Sequence, residues 1–124
     1  GLGNSYFKDK NFSILNKYYA KDKNNVYREG KKLDGADSES FVILDGNYSK
    51  DKNFVYDFYG KKIPGADSAS FKVLTNAYAV DNKSVYWDRK KLDKADPGTF
   101  KLLEYSYSRD NKNVYFIVNF CYNI

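Results

Sequence analysis

Histidine and methionine are absent from the 124 residues, cysteine and tryptophan occur once each, and proline occurs twice. Without histidine there is no Cys–His or Ser–His–Asp relay, because those nucleophiles need an imidazole to take their proton. The single cysteine, Cys121, excludes an intrachain disulfide framework. Set between Phe120 and Tyr122, it reads as a small buried hydrophobe on a terminal strand; a reactive thiolate would want a histidine partner or an electropositive niche. No apolar run approaches the ~18 residues of a membrane-spanning helix. With Gly1 first and no methionine anywhere, the chain is expected to have lost its natural start, so that an export signal could have been removed. Arginine is confined to Arg28, Arg89 and Arg109, so the net charge of +5 is carried by lysine. Nucleic-acid readers favour the planar arginine fork, so no specific nucleic-acid partner is expected.

What is abundant is aromatic: 13 Tyr and 9 Phe, a composition that leans toward strands. These residues recur in a fixed order. Asp22, Asp51, Asp81 and Asp110 follow one another at 29, 30 and 29 residues, each heading a polar turn. Val26-Tyr27, Val55-Tyr56, Val85-Tyr86 and Val114-Tyr115 come four residues behind. Lysine pairs at Lys31-Lys32, Lys61-Lys62 and Lys90-Lys91 come next, then Ala36-Asp37, Ala66-Asp67 and Ala95-Asp96. Phe41 with Leu44, Phe71 with Leu74 and Phe100 with Leu103 complete the unit, and Phe12 with Leu15 keeps the same register. Self-similarity at this period marks a repeat architecture in which each unit buries its apolar face on its neighbours. The expected organisation is one repeat domain over 1–124: a partial unit 1–18, units 19–47, 48–77 and 78–106, and a partial unit 107–124. The extra residue of the middle unit lies in Asp57-Phe58-Tyr59-Gly60, which marks a loop tip.

The third copy shows the expected build of one unit. Tyr78-Ala79-Val80-Asp81 is a short strand, Asn82-Lys83-Ser84 a turn held by Asp and Asn side chains, and Val85-Tyr86-Trp87 a second strand. In the first copy Arg28-Glu29-Gly30 is a glycine-assisted turn that feeds a third strand at Lys31-Lys32-Leu33. Ala95-Asp96-Pro97-Gly98-Thr99-Phe100 carries a helix-start signal, with Asp as cap and Pro at the first helical position. One turn of helix would place Phe100 and Leu103 on a common face. The fold class is therefore mainly β (β-rich α+β): tandem repeats, each a short β-meander with a one-turn helical cap, forming one continuous core. An open or curled arrangement is expected over a closed ring, and Phe116-Ile117-Val118-Asn119-Phe120 is apolar enough to be a closing or pairing strand.

The runs Asp22-Lys23-Asn24-Asn25-Val26-Tyr27 and Asp51-Lys52-Asn53-Phe54-Val55-Tyr56 resemble the DKNYY family of bacterial repeat proteins. Later copies drift, to Asp81-Asn82-Lys83-Ser84 and Asp110-Asn111-Lys112-Asn113. Arg28, Asp57, Trp87 and Phe116 follow the tyrosines where the family often has a second Tyr. The resemblance covers nearly the whole chain. It implies a domain without assigned catalytic residues, commonly in exported or envelope-associated bacterial proteins, and so an extracellular or cell-envelope location.

The recurring acids admit a metal reading and a structural one. A calcium loop begun at Asp22 needs a glycine at its sixth position and a bidentate Glu at its twelfth, where this chain has Tyr27 and Leu33. Turn formation explains Asp22, Asp51, Asp81 and Asp110, and helix capping explains Asp37, Asp67 and Asp96. An active site is normally built once, and no unrepeated acid pair stands out. No catalytic residue, metal or cofactor is expected.

The candidate ligand face is made of Lys31, Lys32, Lys61, Lys62, Lys90 and Lys91 with Tyr27, Tyr56, Tyr86 and Trp87. Stacked in register, the lysine pairs would form a ridge suited to an anionic envelope polymer or another protein. Val and Tyr adjacent on a strand point to opposite faces, so valines toward the core put tyrosines on the other side. That tyrosine ladder is either packed under neighbouring elements or open as an aromatic stripe. The expected function is a non-enzymatic binding or adhesion module, with a structural spacer as the alternative. The expected state is a monomer or an edge-strand homodimer, with no membrane span.

Overall fold

The computed structural model describes residues 12–45, 48–75 and 77–117. Among them are fourteen short strands and no helix, in four small antiparallel sheets. Sheet I holds β1 (Ser13–Ile14), β2 (Tyr19–Lys21), β3 (Val26–Arg28) and β4 (Lys31–Lys32). Sheet II holds β5 (Val42–Ile43), β6 (Ser49–Lys50) and β7 (Val55–Tyr56), with a bridge from Tyr56 to Lys62 in place of a fourth strand. Sheet III holds β8 (Lys72–Thr75), β9 (Tyr78–Val80), β10 (Val85–Trp87) and β11 (Lys90–Lys91). Sheet IV holds β12 (Lys101–Leu102), β13 (Tyr107–Arg109) and β14 (Val114–Phe116). Strand order follows chain order, so every sheet is a meander. Cys121 and Val118-Asn119-Phe120, expected on a closing strand, lie outside the described residues.

Each β2–β3-type hairpin turns on its aspartate. Asp81 Oδ1 accepts the N–H groups of Lys83 and Ser84 at 2.9 and 2.8 Å, which closes the turn between β9 and β10. At the next corner Glu29 and Gly30 both have positive φ, 50° and 82°, the backbone a two-residue hairpin loop of the right twist demands. Glycine takes that conformation freely, whereas Glu29 bears a steric cost.

The expected helical cap is not formed. Residues 38–40, 68–70 and 97–99 are turns, three residues each, too few for the 3.6 that one helical turn takes. The capping bond is present nonetheless: Asp37 Oδ2 accepts the N–H of Ser40 at 3.0 Å, and Asp67 does the same for Ser70. Immediately after, the chain extends into β5, β8 and β12. Phe and Leu three apart then point to opposite sides, since side chains alternate along an extended strand. Phe41 packs with Tyr19, Val26 and Tyr56, whereas Leu44 packs on the next cluster with Tyr48 and Val55. Phe71 and Leu74 divide in the same way.

The sheets stack face to face. The valine side of sheet I (Tyr19, Val26) meets the tyrosine side of sheet II (Tyr56), with Phe41 between. Tyr48 and Val55 of sheet II meet Ala79 and Tyr86 of sheet III across Phe71, and Tyr78 and Val85 of sheet III meet Tyr115 of sheet IV across Phe100. In each interface the phenylalanine ring sits between two tyrosines, with centroids 5.3 and 5.8 Å away at Phe41 and 5.0 and 5.5 Å away at Phe71. The core is thus a row of interlayer clusters. Among the described residues, Ile14 on sheet I and Val114 on sheet IV are 75% and 69% exposed.

Candidate functional site

The lysine pairs occupy corresponding places. Lys31 and Lys32 form β4, the edge of sheet I; Lys90 and Lys91 form β11, the edge of sheet III; Lys62 bridges to Tyr56 at the equivalent edge of sheet II. All six lysines, Lys61 included, are exposed. Lys62 and Lys91 lean back over the preceding unit: their ammonium groups lie 3.3 and 3.0 Å from where a Cβ on Gly35 and Gly65 would sit. Lys62 also stands 3.8 Å above the centre of the Phe54 ring.

The tyrosines expected on the same face are not there. Tyr56 and Tyr86 are buried between sheets and Tyr27 is half-buried. Ser49 and Ala79, both with small side chains, lie directly opposite Tyr56 and Tyr86 on the neighbouring strands. Trp87 packs against the cluster between sheets III and IV. Of the two readings of the ladder, the packed one describes Tyr56 and Tyr86, whose rings are held between sheets.

Their hydroxyls point to the structural centre of the repeat. Asp51 Oδ2 accepts the Tyr56 hydroxyl and the N–H of Asp37, both at 2.8 Å, while Oδ1 accepts the N–H groups of Asn53 and Phe54. Asp81 binds Tyr86 and Asp67 identically, and Asp110 binds Tyr115 and Asp96. One carboxylate therefore closes its own hairpin and grips the turn that leads in from the preceding sheet. Burial by itself would push the Asp51 and Asp81 carboxyls up, but these hydrogen bonds outweigh it and hold both below the ordinary carboxylate value. The Tyr27 hydroxyl and the turn amides hold Asp22 down likewise. Burial and the adjacent carboxylate push Tyr56 and Tyr86 up.

A second set of bonds completes the staple. Ser40 Oγ donates to Asp37 and accepts the N–H of Lys52 at 2.8 Å; Ser70 and Thr99 repeat this with Asn82 and Asn111. On the other side Ser38 Oγ donates to the Asp22 carbonyl, and Lys21 Nζ donates to the carbonyls of Ser38 and Phe41. The linking turns at 37–40 and 67–70 are thus tied to the hairpin tip before and the tip after, whereas the turn at 96–99, with Pro97 and Val80 at the serine and lysine positions, is tied to the tip after it.

One constellation occurs once among the described residues. The Arg28 guanidinium lies 5.3 to 5.9 Å from the ring centres of Tyr18, Tyr19, Phe58 and Tyr59, and its Nε donates to the Phe58 carbonyl at 3.1 Å. The buried Asp57 accepts the Tyr59 and Lys61 amides and pairs with Arg89 at 3.2 Å. The one-residue insertion at 57–60 was the sequence signal for this departure, although spacing does not show which arginine enters it.

An open groove of ≈ 540 Å3 runs between the β2–β3 tip and the turn at 36–39, lined by Asp22 and Asp37 among others. Both carboxylates already carry internal hydrogen bonds. Among the described residues no three acids or cysteines gather as a metal site. No described helix is long and apolar enough to cross a membrane.

No curated protein and no solved structure matches the chain. The profile of the DKNYY family matches it twice in tandem, over residues 4–58 and 57–119. The chain therefore belongs to the DKNYY family.

Proposed function

We propose that this protein is a non-enzymatic binding module of a bacterial envelope or secreted protein, which holds an anionic polymer along its lysine edge. The supporting observation is the exposure of Lys31, Lys32, Lys61, Lys62, Lys90 and Lys91 at one edge of successive sheets. The hairpin-tip aspartates Asp22, Asp51, Asp81 and Asp110 and the hydroxyls of Tyr27, Tyr56, Tyr86 and Tyr115 are engaged with one another. A row of ammonium groups recognises closely spaced anionic charge, not shape, and a teichoic acid or acidic polysaccharide supplies it. The test is binding of purified teichoic acid at low and high salt, with the six lysines replaced by alanine in a parallel sample. Wild-type affinity should fall steeply with salt, and the variant should bind at least about tenfold more weakly while unfolding at the same urea concentration. Equal affinity in 50 mM and about 500 mM salt, beyond the screening range of a ridge contact, sinks the proposal.

Burial of Tyr56 and Tyr86 favours a second reading, a spacer that has no ligand of its own. Under it no envelope polymer shifts the melting temperature, since only a ligand that binds the folded state raises it.

A further inference from the structure

The lysines differ in what holds them. Lys21 and Lys50 are committed to the backbone: their ammonium groups donate to the carbonyls of Ser38 and Phe41 and of Ser68. Lys62 and Lys91 are positioned without being bonded. Each ammonium group lies at the glycine turn of the preceding unit, Lys62 at Gly35 and Lys91 at Gly65, in space that a side chain on the glycine would fill. Lys62 is seated further by the face of the Phe54 ring. Among the described residues, neither ammonium group meets a hydrogen-bond acceptor or a carboxylate at ion-pair distance. The turns at which they sit share a second property. The Ala36 N–H donates to the Leu33 carbonyl and the Ala66 N–H to the Ile63 carbonyl, both at 3.2 Å, with Gly35 and Gly65 at φ 78°. Both are type II turns, which need a positive φ at the third residue. The closing bond leaves out the glycine N–H, and neither Gly35 nor Gly65 donates its amide to a described group. The third copy differs, since Lys94 stands at the glycine position without a positive φ.

At two joints between units, an uncommitted amide and an uncommitted ammonium group therefore adjoin. We infer that each joint is an oxyanion subsite, Gly35 N–H with Lys62 and Gly65 N–H with Lys91, and that each takes one phosphate or carboxylate of a polymer lying along the stack. The inference rests on the lysine-edge reading and narrows it to two of the six lysines. Main-chain N–H groups in a turn with positive φ form concavities that hold anions, and the ammonium group supplies the full charge. A lysine already seated against its neighbours has less freedom to lose when the anion arrives than one that must be ordered on binding. Lys90, adjacent to Lys91 on β11, points to the other side of its strand and away from the glycine turn. Sheets packed face to face lie about 10 Å apart, so the two subsites accept a chain that carries charge at about that interval or closer.

The experiment compares two double variants that remove the same charge, Lys62→Gln with Lys91→Gln and Lys61→Gln with Lys90→Gln. All four lysines are exposed, so both proteins should keep the wild-type urea transition. Binding of teichoic acid and, separately, of polygalacturonate is measured by calorimetry in about 50 mM salt, which tells phosphate from carboxylate as the bound group. The variant at 62 and 91 should bind at least about tenfold more weakly than wild type, and the variant at 61 and 90 less than about threefold more weakly, because only the first loses the seated pair. In amide spectra of the wild type, polymer should shift the Gly35 and Gly65 signals and leave Gly60, whose N–H donates to the Asp57 carbonyl, in place. Equal losses in the two variants, or Gly35 and Gly65 signals that do not move, overturn the inference and leave salt-dependent binding at the lysine edge standing. Wild type that binds neither polymer in about 50 mM salt removes both.

Discussion

Asp81→Asn removes one charge and changes few atoms, yet should weaken the protein severely. Asp81 is 5% exposed and accepts four hydrogen bonds, from the amides of Lys83, Ser84 and Asp67 and from the Tyr86 hydroxyl. An asparagine carbonyl at the Oδ1 position keeps the two turn amides. Its NH2 group then faces the Asp67 N–H and the Tyr86 hydroxyl where a carboxylate oxygen had accepted both. The hydroxyl can rotate to accept, but the Asp67 amide cannot. Losing a hydrogen bond to a charged acceptor costs about 1.5–3 kcal/mol, and a buried amide left without a partner about 1–3 kcal/mol. The two overlap, and a total of about 3–4 kcal/mol is expected, against about 5–15 kcal/mol for a typical domain. The assay is urea unfolding followed by the emission of Trp87, the single tryptophan, which packs between sheets III and IV. Asp93→Asn, in an exposed turn, is the matched control and should stay within about 0.5 kcal/mol of wild type. A loss below about 1 kcal/mol at Asp81, or one no larger than at Asp93, refutes the reasoning that this carboxylate joins two units.

Acid should act through the same groups: Asp22, Asp51, Asp81 and Asp110 are held below their ordinary value in the folded chain, so their contribution is complete above about pH 4, the unfolded value, and is lost as pH falls through the folded values. The urea midpoint should be level from pH 7 to 5 and drop below pH 4, less steeply in Asp81→Asn. Tyr48, Tyr56 and Tyr86 are raised, so stability present below about pH 10 should be lost as pH climbs past it, visible as an alkaline transition in tyrosine absorbance. Phe71→Ala should cost about 3–5 kcal/mol by emptying an interlayer site, whereas Leu103→Ala, 46% exposed, should cost less than about 1 kcal/mol in the same urea assay. Glu29→Asn creates the Asn-Gly pair that the positive φ of this hairpin prefers, and should raise stability by about 0.5–1 kcal/mol in calorimetry.

The repeat, its register, the hairpins at Tyr78 to Trp87 and the strand at Lys31-Lys32 were legible because they rest on local chemistry: an aspartate closing a turn, a glycine at positive φ, alternation along a strand. The cap was misread for a definite reason. Asp96, Pro97 and Phe100 with Leu103 fit a helical start and a helical face equally well, and only the neighbouring sheet decides otherwise, by taking the Asp96 amide onto Asp110. The fate of the tyrosines was undecidable for the same reason, since both faces of an internal sheet are covered only once the next sheet is in place. Lys62 was legible by its register with Lys32 and Lys91, but Arg28 and its aromatic surroundings depend on an insertion that interrupts the pattern by which the rest was read.

The staples between units are short in sequence. Asp37 reaches Asp51 across 14 residues, Ser40 reaches Lys52 across 12, and even the ion pair from Arg89 to Asp57 spans only 32. Folding of all-β proteins is commonly slowed by the need to close long loops before distant strands reward the closure. Here no such wait is imposed by the staples: each meander forms within its own stretch of chain, and the next docks onto it through partners a dozen residues away. The kinetics should then resemble growth from a nucleus along a line, with the search time set by one unit and not by the length of the chain.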